Sequence, residues 1–231
     1  IKKLNPDIVI VVAYLQLISK KILNLSKKGF INIHASLLPK WRGAAPLQRS
    51  IMNLDTETGI SIMKITEDLD AGPVMKKIHI KINESLTAGE LSESLSKMSS
   101  EIIIKVMDDI FSEKSRFVDQ NHKLATYAKK IQKSEGEIDW KENAKKILAK
   151  INGLNPNPGA WFFYKKTRYK IWKAKVVEKT GPAGTILDNN FTIGCGEKSL
   201  EVIEIQKEGK NKLLLKNFLS GISFKQGDVL K

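Results

Sequence analysis

A single cysteine, Cys195, stands in 231 residues, so an internal disulfide and any zinc site built on several thiolates are excluded. One unpaired thiol suits a reducing compartment, and the cytoplasm is the expected location. Long apolar runs are missing too. The longest, residues 8–13, falls far short of the roughly 20 residues that cross a bilayer, and no membrane partner is expected. No strand leads into G-x-G-x-x-G, so nothing asks for a nicotinamide cofactor. Gly194-Cys-Gly-Glu-Lys-Ser199 has only the look of a phosphate-binding loop, because Glu197 separates Gly196 from Lys198 and no glycine opens the motif. Histidine is scarce, with three in all. His79 and His122 have no second ligand nearby, and no metal is expected.

No charged, apolar and small-residue succession marks a secretory leader at Ile1. Residues 1–12 instead read as the middle of a domain, and the expectation is that coding sequence ahead of Ile1 is missing. What remains is 42% hydrophobic and 28% charged, with the two interleaved, as a packed globular fold requires.

The charge is uneven. Thirty-nine Lys and Arg face 25 Asp and Glu, a net of +14. Residues 1–115 account for +3 of that and residues 116–231 for +11. Within the back half, residues 123–175 hold 14 basic and 4 acidic side chains, a local excess that attracts a polyanion by counterion release. Nucleic acid is the expected partner. A lysine-biased composition with no partner at all is the bland alternative.

Residues 7–13 form an unbroken β-branched run, the pattern of a strand covered on both faces in a parallel sheet. Helical spacing over 17–25, the break at Gly29 and a second strand at 30–34 complete a β-α-β unit. A helix over 44–54, strands at 60–65 and 74–82, and a long helix from a capping box at Thr87 to about Phe111 follow. The reading is a catalytic domain at 1–115, a linker at 116–134 and a second domain at 135–231. There, a helix over 143–151 precedes short strands near 161–164, 169–177, 184–187, 191–195, 200–206 and 213–217. Their spacing suggests a small barrel of oligonucleotide-binding (OB) type.

Asn32 and His34 sit two apart at the end of a strand, where i and i+2 side chains share a face. An amide that donates a hydrogen bond and an imidazole that titrates near neutrality can together polarise a carbonyl and move a proton, as acyl transfer needs. A capped strand end with a satisfied core histidine is the competing explanation.

Directly after His34 comes Ala35-Ser-Leu-Leu-Pro-Lys-Trp-Arg-Gly-Ala-Ala-Pro-Leu-Gln48, and later the loop Asp68-Leu-Asp-Ala-Gly-Pro73. Together these resemble the folate-dependent formyltransferases. Arg42-Gly-Ala-Ala-Pro-Leu-Gln48, Tyr127-Ala-x-Lys, Ile138-Asp-Trp140, Asn155-Pro-x-Pro158 and Gly184-Thr-Ile186 are most similar to the branch acting on methionyl-tRNA. The resemblance implies a truncated doubly wound parallel-sheet α/β domain, short of its first β-α units, with a small OB-like β-barrel behind it. At about 30 residues per unit, two missing units amount to roughly 60–80 residues. It implies formyl transfer from 10-formyltetrahydrofolate to the α-amine of initiator methionyl-tRNA, with no metal, by a cytoplasmic monomer. Asn32, His34 and Asp70 would be catalytic, and Ser36, Leu37, Leu38 and Pro39 would contact the folate. Arg42, Lys129, Lys130, Lys133, Lys165, Lys166 and Arg168 would contact tRNA. Another folate-dependent formyltransferase or hydrolase acting on a small molecule, and an inactive RNA-binding remnant, are the other readings.

Overall fold

A computed structural model describes residues 1–14, 16–219 and 224–231. Two compact units divide the chain. One comprises Ile1–Ser50, Asp55–Ile82 and Glu90–Lys130; the other comprises Ile51–Leu54, Asn83–Gly89 and Ile131–Lys231.

The first unit is built on a sheet in the order β1 (Val9–Val12), β2 (Phe30–His34), β4 (Glu57–Lys64), β5 (Val74–Lys81). β1 and β2 are joined by a single helical turn, α1 (Lys20–Leu23), and run parallel. β2 and β4, and then β4 and β5, run antiparallel. The parallel sheet expected from the β-branched runs is therefore, among the described strands, a mixed one. Its reason lies in the connections. Residues 65–73 are too few for the crossover that a parallel neighbour needs, so β5 folds back along β4. The excursion after His34, through β3 (Arg42–Gly43) and α2 (Pro46–Met52), returns the chain to the end of β2 that it left, pairing Ser61 with His34.

β2 is central. Phe30, Ile31, Ile33 and His34 are buried while Asn32 is half-buried, so both faces of the strand are covered. The long helix of this unit is α3 (Ala88–Phe111), whose Leu91 and Leu95, and Val106 and Ile110, are four residues apart and buried. The segment 116–134, read as a linker, carries structure along its length. Val118 exchanges backbone hydrogen bonds with Val74, and β6 (Tyr127–Ala128) pairs in parallel with β3.

The second unit folds around α4 (Ala144–Gly153), capped by the Asn143 side chain, which accepts the Lys145 N–H at 2.8 Å. Its apolar stripe of Ala144, Ile147, Leu148 and Ile151 lies in one core with Phe162, Ile171, Leu200 and Ile205. Each large side chain there contributes about 1.5–3 kcal/mol by burial, and cutting Phe162 to alanine would cost about 3–5 kcal/mol. The sheet comprises β7 (Ala160–Tyr164), β8 (Thr167–Val177), β9 (Thr192–Gly194), β10 (Ser199–Lys207) and β11 (Lys212–Leu214), all antiparallel. β8 flanks one edge of β10, while β9 and β11 share the other. No strand pairing among the described residues closes this sheet into a barrel. Of the strand expected at 184–187, Thr185 and Ile186 form isolated bridges. Of the one expected at 213–217, residues 213–214 are extended in β11 before the chain coils into α5 (Leu215–Phe218). Among the described residues no helix is long and apolar enough to cross a membrane.

Candidate active site

Strand alternation points Asn32 and His34 to one side of β2, where both border a cavity of about 730 Å³. Leu95, Ser96 and Ile103 of α3 and Leu47 of α2 also line it. Asp70, from the loop between β4 and β5, reaches the same cavity. Its backbone is left-handed at φ 46°, a conformation that aspartate tolerates better than most residues. The loop closes tightly behind it: a Cβ on Gly72 would stand 2.0 Å from the Lys64 carbonyl oxygen.

The three side chains meet. His34 Nδ1 lies 3.6 Å from Asp70 Oδ2, and Asn32 Nδ2 donates to Asp70 Oδ1 at 3.5 Å. Two backbone groups complete the arrangement. The N–H of Gly43 donates to Asp70 Oδ2 at 2.8 Å, and His34 Nε2 stands 2.9 Å from the carbonyl oxygen of Trp41. A carbonyl oxygen only accepts, so Nε2 carries the hydrogen and Nδ1 is the nitrogen that faces the carboxylate. Asp70 is thus tied to groups outside its own loop rather than acting as a local turn cap.

Trp41 and Gly43 are contributors that the sequence did not single out, because backbone groups leave no trace in residue type. The same holds for Gln120, which donates to the carbonyls of Asp70 and Gly72. It lies in a polar segment without periodicity, and no signal in the chain marks it.

The other candidates are placed differently. Ser36 and Leu38 are fully buried, and neither they nor Leu37 and Pro39 border the cavity. Ser36 Oγ donates to the Lys40 carbonyl at 2.6 Å, and Ser61 Oγ donates to the Ser36 carbonyl while accepting the Leu38 N–H. Ser36 and Leu38 thus shape the loop after His34 from within, while Leu37 and Pro39 are half-buried. Arg42, expected on tRNA, is only 3% exposed. Its guanidinium donates to Gln120 Oε1 from Nε and Nη2, and Nη2 stands 3.3 Å from His122 Nδ1. In this structure those groups, rather than solvent, face Nε and Nη2. Lys129, Lys130 and Lys133 are exposed, as are Lys165 and Lys166. Lys165 stands over the Tyr164 ring at 4.8 Å, and hydrogen bonding to Tyr164 raises its pKa. Arg168 is half-buried and paired with Glu208 at 2.6 Å. Among the described residues no group of three or more His, Cys, Asp or Glu could hold a metal ion.

A family model described as formyl transferase matches residues 1–107, and one described as formyl transferase, C-terminal domain, matches residues 130–223. The chain is 55% identical over 228 residues to the methionyl-tRNA formyltransferase of Pelagibacter ubique (strain HTCC1062), covering 98% of this chain and 74% of that one. It is 40% identical to that of Caldanaerobacter subterraneus subsp. tengcongensis, covering 100% and 76%. The fold is also that of HypX from Aquifex aeolicus in complex with tetrahydrofolic acid, at a TM-score of 0.71 and 18% identity, over 97% of this chain and 42% of that one. Methionyl-tRNA formyltransferase from Clostridium thermocellum matches at 0.61 and 22% identity, over 79% and 78%. The chain belongs to the methionyl-tRNA formyltransferase family.

Proposed function

We propose that this chain transfers the formyl group of 10-formyltetrahydrofolate to the α-amino group of initiator methionyl-tRNA, giving N-formylmethionyl-tRNA for translation initiation. The observation that carries this reading is the meeting of Asn32, His34 and Asp70 on the wall of one cavity, in a chain 55% identical to a methionyl-tRNA formyltransferase. The cavity, at about 730 Å³, suits a small-molecule co-substrate, for which sites of roughly 300–1,000 Å³ are usual.

The folate supplies the formyl carbon. As the amine nitrogen bonds to that carbon, the bond to the folate nitrogen breaks, and the proton lost by the amine passes to the leaving nitrogen. Asn32 is read as the donor to the formyl oxygen as negative charge gathers there. With Nε2–H held on the Trp41 carbonyl, His34 is read as trading protons through Nδ1, the nitrogen that Asp70 Oδ2 faces at 3.6 Å. Residues 1–115 carry this chemistry. Residues 135–231 are read as the tRNA module, of OB-like type, joined through 116–134. The exposed Lys129, Lys130, Lys133, Lys165 and Lys166 serve tRNA phosphates, and the chain works as a cytoplasmic monomer.

Incubating the chain with 10-formyltetrahydrofolate and methionine-charged initiator tRNA tests the reading. N-formylmethionine released from the tRNA is the expected product. Formate released without tRNA, formylation of a small amine in preference, or RNA binding with no turnover would each replace it with another function.

A further inference from the structure

We propose that Gln120 is a positioning residue for formyl transfer, holding the loop of Asp70 and the loop of Gly43 in register so that the carboxylate faces His34; this deepens the formyl-transfer reading and rests on it. Gln120 is 8% exposed, and its amide is fully engaged. Nε2 donates to the Asp70 carbonyl at 2.8 Å and to the Gly72 carbonyl at 2.7 Å. Oε1 accepts from Arg42 Nε at 3.2 Å and from Arg42 Nη2 at 2.8 Å. A primary amide offers two hydrogens and two lone pairs, and all four are in use.

The placement gives those bonds their consequence. Arg42 lies between Trp41, whose carbonyl takes His34 Nε2, and Gly43, whose N–H holds Asp70 Oδ2. One amide therefore ties the segment that orients the histidine to the loop that brings the aspartate. Neither segment has much regular structure of its own: β3 is two residues long, and 65–73 is a loop. Loss of the amide leaves two loop carbonyls and a buried guanidinium short of partners, a costly state that the loops relieve by moving. A displacement of about 1 Å at a reacting group costs on the order of 100-fold in rate.

Gln120→Glu separates this role from simple neutralisation of Arg42. Glutamate still accepts from the guanidinium, more strongly than the amide, but a carboxylate cannot donate to the two carbonyls. Gln120→Leu removes both functions. The measurements are kcat and KM for the folate, the thermal midpoint, and the NMR signal of the His34 ring, with His79 on β5 as internal control. Both variants should lose about 10–100-fold in kcat, with KM for the folate changed by less than roughly three-fold, since uniform binding is not what is removed. The His34 signal should move and that of His79 stay. Combined with Asp70→Asn, Gln120→Glu should add less than about a two-fold further loss, because residues acting as one unit are not additive. The proposal is overturned if Gln120→Glu keeps kcat within about two-fold of the parent, leaves the His34 signal in place, or costs the same factor with and without Asp70. If the parent chain forms no product at all, it is the activity reading that fails, and the His34 signal alone decides the role of Gln120.

Discussion

Asp70 Oδ2 takes its hydrogen bond from the backbone N–H of Gly43, 27 residues earlier in the chain, at 2.8 Å. Gly43 sits at φ 114°, and a Cβ there would stand 2.9 Å from the carbonyl oxygen of Ala128. Both facts forbid a side chain at this position, and the N–H that Asp70 needs depends on it.

Gly43→Ala should therefore displace the donor as well as strain the backbone. The strain alone is worth about 1–3 kcal/mol, measurable as a lowered midpoint in urea. The rate should fall further than the stability loss explains, by roughly 10-fold or more, since a misplaced catalytic group costs that much. A variant with a normal rate in its folded fraction would show that the Gly43 contact is not needed.

His34→Ala and Asn32→Ala should each lower formyl transfer by about 100-fold or more, the usual scale of an acid–base group or an oxyanion donor. Their circular dichroism should match the parent. Near-normal turnover in His34→Ala would move the chemical centre elsewhere.

Reversing the charge of Lys129, Lys130 and Lys133 together should weaken tRNA binding and flatten its dependence on salt, because fewer counterions are released. Affinity for the folate should hold, and so should binding in Arg42→Lys, whose side chain is buried away from solvent. An unchanged salt slope in the triple variant would leave those lysines as ordinary solvated surface.

Acid should loosen the second unit through Asp228. The Tyr164 hydroxyl donates to its Oδ2 at 2.6 Å, and that bond, followed by the Lys225 N–H, holds its pKa below the ordinary carboxylate value. A carboxyl depressed in the folded state adds stability that is full above its unfolded pKa of about 3.9 and fades as pH falls through the lower folded one. Tyr164→Phe should remove part of that contribution, so that thermal midpoints of parent and variant converge toward acid. Parallel curves down to the acid limit would remove Asp228 from the account.

The front sheet was legible where its strands announce themselves. The β-branched run at 7–13 and the alternation through 74–82 do contain strands, β1 and β5. The cover expected on both faces of 7–13 is not met: Val9, Ile10 and Val11 are half-buried and Val12 is exposed, because β1 ends the order of described strands with β2 as its neighbour. Direction is not in the apolar pattern. A strand reads the same whether its neighbour runs with it or against it, so the mixed character of the sheet came only from how the connections close. The back unit shows the same limit. Its strands at 160–164 and 199–207 match their apolar alternation, whereas 215–218 coils although its composition allows either state.

The site divides along the same line. Asn32 and His34 were fixed by the chain itself: two residues on one strand face one way, whatever surrounds them. That Asp70 would stand beside them followed only from resemblance, and the geometry of that meeting belongs to the tertiary structure. Trp41, Gly43 and Gln120 could not be found at all. Two act through backbone atoms that every residue possesses, and the third acts from 50 residues beyond Asp70. Ser36, Leu38 and Arg42, whose ligand contacts were implied by resemblance, turn out to be buried. A buried hydroxyl and a buried guanidinium need partners, and the loops around them supplied those partners from inside. Local pattern determines which way a side chain leaves the backbone, while what it meets there is decided by segments far away in sequence.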